Sequence, residues 1–130
     1  MRITVEKARQ FFAHPSQHAF GMTEDDLPED YIYHADGGVC LAFHPVLWPG
    51  VYAVHVGAMP EAIGATTAPV RRLLAEFAGD MAPKAIIAAI DEKNRLAIAL
   101  ARRVGGEMAG AISPGLIIME WRPQCPFSHQ

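Results

Sequence analysis

The chain lacks the features that would tie it to an oxidising compartment, a bilayer or a nucleic acid. It has only two cysteines in 130 residues, Cys40 and Cys125, and no CxxC spacing. That excludes a disulfide scaffold and offers no zinc or redox pattern, so both thiols are read as unpaired. The longest apolar runs, Ala85 to Ile90 and Gly115 to Met119, fall far short of the roughly 20 residues a bilayer-spanning helix needs, and no membrane association is expected. Basic residues are also few, 11 against 14 acidic ones, for a net charge of −3 and a pI near 6.0. Without a positive field to hold a phosphate backbone, nucleic-acid binding is not expected. Early charges in Met1-Arg2-Ile3-Thr4-Val5-Glu6-Lys7 leave no continuous apolar stretch for a secretory signal, so cytoplasmic residence is the expectation.

What is present is a globular composition, 51% apolar and 19% charged, at a length suited to one core. The expected organisation is one domain, residues 1–122, followed by a tail, residues 123–130. From Thr4 to His14 the apolar positions Val5, Ala8, Phe11 and Phe12 have helical spacing, and Pro15 closes the segment. Residues Ser16 to Asp30, with the acidic run Glu24 to Asp30, are too polar and turn-rich for a strand and are read as loop, with room for one helical turn. Tyr31 to Ala35 and Val39 to Phe43 flank Asp36-Gly37-Gly38, a hairpin signal, and Trp48-Pro49-Gly50 turns the chain into a third antiparallel strand, Val51 to Val56, with a bulge expected near Gly57.

A helix is expected from Thr67 to Ala78, on the stripe Val70, Leu73, Leu74 and Phe77, with Gly79 as its left-handed cap. Lys84 to Ile90 reads as a strand buried on both faces, which makes strand, helix and strand a right-handed parallel crossover. A second helix, capped by Asp91 or Glu92, runs to Val104 and ends at Gly105; a last hairpin joins Glu107–Ile112 to Leu116–Trp121. Six histidines stand at positions 14, 18, 34, 44, 55 and 129, but no HxxxH or HxH pair with a carboxylate lies on one element, so no metal site is expected.

Residues 94–105, Asn94-Arg95-Leu96-Ala97-Ile98-Ala99-Leu100-Ala101-Arg102-Arg103-Val104-Gly105, resemble the pattern N-x-x-A-x-x-L-Y-x-x-x-G-F of the GNAT superfamily of N-acetyltransferases. Asn94, Ala97, Leu100 and Gly105 match it. Ile90-Asp91 at a strand end and Met59-Pro60-Glu61 after the third strand are similar to further landmarks of that family, and the order of elements agrees over residues 31–122. The resemblance implies an α+β fold whose mixed, mostly antiparallel sheet carries a splayed parallel strand pair and flanking helices. It also implies transfer of an acetyl group from acetyl-CoA, as cosubstrate, to a primary amine on a small molecule or peptide. Small divergent members also occur in bacteriophage genomes, and the compact chain resembles these loosely. A homodimer is compatible with the sequence, with Trp48 and Trp121 as either core or interface aromatics.

The family binds its cosubstrate where two parallel strands part, here implied to be residues 51–58 and 84–90. The implied cofactor-binding residues are Val56, Gly57 and Ala58 on the strand; Gly64, Ala65, Thr66, Thr67 and Ala68 in the phosphate loop; and Arg71 and Asn94. The chain departs from the family loop Q/R-x-x-G-x-G/A. Ile63 stands for the basic residue and Thr66 for the central glycine, only Ala68 fits, and Pro69 removes an N–H donor. Ala101 replaces the tyrosine that protonates the leaving thiolate, and Gly106 replaces the aromatic after the last glycine. For the base, His55 on the third strand is the first candidate and Glu61 the second; the plain alternatives are a strand histidine with one hydrogen bond and an exposed glutamate at a helix start. Glu24 to Asp30 would either attract a cationic acceptor or be a solvated loop. The competing function is a GNAT-like binding or assembly module that has lost its cofactor, and a third reading is another α+β fold with an accidental match.

Overall fold

The computed structural model describes residues 1–15, 22–112 and 114–122. Cys125, His18, His129, Ser113 and the tail lie outside these residues. Seven strands form one sheet: β1 (Arg2–Ile3), β2 (Ile32–Asp36), β3 (Val39–Pro45), β4 (Val51–Ala58), β5 (Ala85–Asp91), β6 (Glu107–Ile112) and β7 (Leu116–Trp121), in the order β1-β2-β3-β4-β5-β7-β6. Every neighbouring pair is antiparallel except β4 and β5. The parallel pair is joined through helix α2 (Thr67–Met81), the crossover that the pattern predicts. The fold is α+β, as expected.

Local chemistry explains most boundaries. Gly37 and Gly38 take φ of 56° and 82° in the β2–β3 turn, the left-handed region a two-residue hairpin turn requires. The first helix is shorter than its periodicity predicts. Thr4 caps α1 (Val5–Ala8) by accepting from the Lys7 N–H at 3.3 Å, and the chain then tightens into a 3₁₀ turn, Arg9–Phe12. Strand β1 was not foreseen; two residues show no alternation, and only pairing with β2 defines them.

Helix α2 passes through Gly79 and ends at Met81, with Ala82 as its left-handed cap at φ 44°. Gly79 is therefore an interior helical residue and not the cap, and Pro83 bars continuation. Helix α3 (Arg95–Arg103) starts later than expected. Its cap is Asn94, whose side chain accepts from the Ala97 N–H at 3.2 Å, while Asp91 accepts from the Lys93 N–H at 2.9 Å before the helix begins. The β3–β4 register is continuous through Gly57, so the expected bulge is absent; the irregularity falls in β6 instead, between Met108 and Gly110. Glycine is required at 57 for another reason: a Cβ there would lie 2.7 Å from the Phe11 carbonyl oxygen and 2.8 Å from the Phe12 ring.

Two apolar clusters cover opposite faces of the sheet. The larger joins Val39, Leu41, Phe43 and Val54 to Val70, Leu73, Leu74 and Phe77 of α2 and to Ala101 and Val104 near the end of α3. The Phe43 and Phe77 rings stack at 3.7 Å between centroids, with Tyr52 edge-on to Phe77 at 5.1 Å; such ring pairs add about 0.5–1.5 kcal/mol beyond area burial. The smaller cluster packs Ala8, Phe11, Phe12 and Leu27 on Tyr33, Cys40 and Ala42. No helix among the described residues is long and apolar enough to cross a membrane.

Candidate functional site

Strands β4 and β5 pair over only three positions, Val51 with Ala85, Tyr52 with Ile86 and Ala53 with Ile87. Beyond these they part. Each keeps its antiparallel partner on the other side, β4 with β3 as far as Ala58 and β5 with β7 as far as Asp91. Only the parallel ladder is lost, and among the described residues no strand lies beside the backbone edge of β4 from Val54 to Gly57, a row of groups that a bound chain can satisfy.

A cavity of about 400 Å³ occupies the gap. Val54, His55 and Val56 of β4 line it on one side and Ala88, Ala89, Ile90 and Asp91 of β5 on the other; Val70 and Leu74 of α2 and Leu96, Ala97, Leu100 and Ala101 of α3 close it from the helical side. Its mouth is unusually apolar, since Leu96 is 83% exposed, Ile63 49% and Val56 40%; large exposed apolar side chains gathered around one cavity mark a binding site. Strand β5 was expected to be buried on both faces. Ala85, Ile86 and Ala88 are buried, but Ala89 is exposed, because this end of the strand is a cavity wall.

The wall carries few polar side chains. Asn94 and Asp91 are there, but both are occupied by the backbone amides at the start of α3. His55 is the imidazole of the cavity. It is half-buried, its Nε2 lies 3.2 Å from His44 Nε2, and the two rings are stacked with Tyr31. Burial, and secondarily the charge of His44, push its pKa down from 6.5 to about 4. Near pH 7 it is a neutral ring able to accept a proton.

The loop after β4 is a 3₁₀ turn, Pro60–Ala62, followed by Gly64 at φ 93°. Within it the Ile63 N–H is bonded to Pro60 O and the Ala65 N–H to Ala62 O, whereas the first N–H groups of α2, at Thr67 and Ala68, have no helical acceptor and Thr66 caps none of them with its side chain. Arg71 does not stand free for an anion: its Nη2 donates to Arg103 O, at the end of α3, at 2.7 Å, where cations favour the unpaired carbonyls. Its Nε is buried without a partner. Arg72 is paired with Asp36 at 2.6 Å.

The structure thus brings His55, Val56 and Asn94 into one cavity wall and sets Gly64 to Ala68 at the adjoining start of α2. Gly57 and Ala58 are buried, Gly57 beneath Phe11 and Phe12. Glu61 is exposed and outside the cavity wall. Sequence reasoning missed His44, whose alternation on β3 puts it on the His55 face but whose contact depends on register. Trp121, read as a core or interface aromatic, is buried in the core and lines the cavity. A Cβ on Gly106 would lie 2.8 Å from the Trp121 ring, so the indole of β7 occupies the space beside that glycine, and its Nε1 donates to Val104 O. A second cluster, His34 with Glu76 and Asp80, brings β2 to α2 on the opposite face, with His34 Nδ1 2.5 Å from Glu76 Oε1.

Solved structures share this architecture over nearly the whole chain. Aminoglycoside acetyltransferase AAC(6')-Ib, solved in complex with coenzyme A, aligns with a TM-score of 0.74 over 95% of this chain and 94% of its own, at 17% identity. The yncA protein of Salmonella typhimurium, solved with its cofactor acetyl-CoA, aligns at 0.70 over 95% and 93%, at 13% identity. The GNAT-family acetyltransferase of Bacillus anthracis aligns at 0.68 over 93% and 90%, also at 13% identity. The chain has the GNAT fold. No family model and no curated protein matches its sequence, so the likeness is one of backbone path.

Proposed function

We propose that this protein is an acetyl-CoA-dependent N-acetyltransferase acting on a primary amine. The observation that carries the reading is the parting of β4 and β5 beyond Ala53 and Ile87, with a half-buried histidine in the wall of the resulting cavity. The donor fits this site on three counts. The edge of β4 from Val54 to Gly57 offers backbone groups to a pantetheine arm, the apolar walls exclude water, and the N–H groups at Thr67 and Ala68, without helical acceptors, form the positive end of the α2 dipole, suited to a pyrophosphate. When bound, acetyl-CoA supplies an activated thioester. Val56, Gly57 and Ala58 on β4, Gly64 to Ala68 in the loop, and Asn94 and Arg71 beside it are the proposed holding residues, with Asn94 and Arg71 acting through the backbone of α3.

His55 is the proposed base. Its neutral ring removes the proton that the amine loses on acylation, and backbone N–H groups of β4 stabilise the charge that develops on the thioester oxygen. Glu61, exposed and outside the wall, is the weaker candidate. The acceptor is proposed to enter from the side of Met22 and the acidic segment up to Asp30, which attracts a cationic amine.

The second reading, a GNAT-like binding module without catalysis, is favoured by Arg71 and Arg72 being committed elsewhere and by Pro69 removing a donor. Calorimetric titration with acetyl-CoA and with desulfo-CoA separates the two. Micromolar affinity for both, lost in Gly64→Pro because proline cannot adopt φ 93°, supports the transferase. No heat and no thermal shift at millimolar ligand would exclude it and favour the module.

A further inference from the structure

His44 and His55 are stacked at 5.2 Å between centroids with Nε2 to Nε2 at 3.2 Å, and Tyr31 stacks on His44 at 4.3 Å. The surroundings decide where the protons sit. His44 Nδ1 lies 3.2 Å from the Pro45 carbonyl oxygen. A carbonyl only accepts, so Nδ1 carries the hydrogen, and a neutral His44 presents its lone pair at Nε2. A hydrogen bond onto that lone pair requires an N–H, so His55 Nε2 donates it. His55 Nδ1 is then the bare nitrogen.

We propose that His44 is a positioning residue for acyl transfer: it holds His55 in the tautomer with a bare Nδ1, and takes up the Nε2 proton of His55 when Nδ1 is protonated. This rests on the acetyltransferase reading. As the amine nitrogen bonds to the thioester carbon and the C–S bond breaks, the amine gives one proton to His55 Nδ1, and the Nε2 proton of His55 passes to His44 Nε2. The departing thiolate then takes the Nδ1 proton, and His44 returns its Nε2 proton to His55. Amine and thioester become amide and thiol, and both rings end as they began. The route gives the thiolate a proton donor in a chain that has Ala101 where the family has a tyrosine.

The electrostatics around the pair agree with this sharing. Two stacked imidazoles cannot both be charged at low cost, and burial, with His44 beside it, holds His55 neutral near pH 7. Tyr31, from the segment before β2, stacks with both rings, and Tyr33 of β2 lies 6.4 Å from Tyr31; burial pushes the Tyr33 hydroxyl up to about 12, so it stays neutral. On β3 the Cys40 thiol is pushed by burial to about 12 and stays neutral.

The test combines long-range ¹H–¹⁵N correlation of the imidazoles with kinetics of the native protein, His44→Gln and His44→Phe. The native spectrum is expected to show His44 protonated at Nδ1 and His55 at Nε2. Glutamine can accept the His55 Nε2–H and keep its tautomer but cannot carry a proton; phenylalanine keeps only the stack. Both are expected to lower kcat about 10- to 100-fold, up to the lower end of the range for a general acid–base group because His55 itself remains, with the acetyl-CoA KM within about twofold. The acid limb of the kcat–pH profile should move in both. Full kcat in His44→Gln, or a native His55 protonated at Nδ1, would overturn the proposal. The expected tautomers in a protein that acetylates no amine would instead overturn the acetyltransferase reading and the proposal with it, whereas the wrong tautomers in an active enzyme would overturn the proposal alone.

Discussion

His34 and His55 stand on opposite faces of the same sheet, on strands two apart, and have been put to opposite uses by their neighbours. His34 is 1% exposed, edge-on to Phe43 and Phe77, with its Nδ1 held by Glu76, which also takes the N-terminal ammonium. Burial alone would raise the Glu76 pKa, but the hydrogen bonds from that ammonium and from His34 outweigh it and hold the carboxyl below its ordinary value. In the His34 cluster Glu76 stands between two partners, the N-terminal ammonium and the His34 ring, with the exposed Asp80 carboxylate beside it. His55 faces another histidine and a cavity. A carboxylate neighbour makes a histidine a bolt between β2 and α2, whereas a histidine neighbour leaves one nitrogen free for work.

The largest effect expected from breaking this contrast is on turnover. His55→Gln should lower kcat about 100-fold or more, within the range for loss of a positioned base, while the thermal midpoint moves little; steady-state kinetics with acetyl-CoA and an amine measure it. Unaltered kcat would remove His55 from the chemistry. His34→Ala should do the reverse. It removes the partner of a part-buried carboxylate and leaves a void, costing about 2–3 kcal/mol of stability in urea unfolding, with kcat per folded molecule intact.

A comparable stability effect sharpens the reading from the backbone side. Gly57→Ala drives a methyl group into Phe11 O and Phe12 and should cost about 1–3 kcal/mol as overpacking; a neutral result would mean the N-terminal segment is not seated on β4. The pH dependence follows from His55. Its native pKa of about 4 lies below the unfolded value of 6.5, so between those values the unfolded chain binds more protons and stability rises with pH. Stability should therefore be complete above pH 6.5 and fall by at most about 3 kcal/mol as the pH drops to 4. His55→Gln should flatten that part of the curve relative to the native protein, and parallel curves would place the titration elsewhere. The smallest effect belongs to Arg72→Ala: the Arg72–Asp36 pair is exposed, and the denaturation midpoint should hardly move.

Much of the architecture was legible before any coordinates. Local rules place the hairpin glycines, the stripe of α2 and the end of α3 before Gly105, though not its cap, and the motif from Asn94 to Gly105 points to the GNAT fold that the backbone shows. The errors were those of local rules overridden by context. Gly79 looks like a cap but continues a helix whose far end is set by Pro83, and Gly57 looks like a bulge but makes room for Phe11 and Phe12. Asn94 and Arg71, implied as cofactor-binding by the resemblance and proposed as such above, also direct polar groups to the backbone of α3.

The order of elements and the two-faced alternation of the strands were determined by the sequence itself, because they depend on spacing along the chain, whereas the candidacy of His55 came through the family resemblance. The parting of β4 from β5, the closure of the cavity by α2 and α3, and the meeting of His44 with His55 were decided only by the tertiary structure. Each depends on register between strands and on which backbone edges find partners, and hydrogen-bond pairing between segments tens of residues apart has no signature in local residue order.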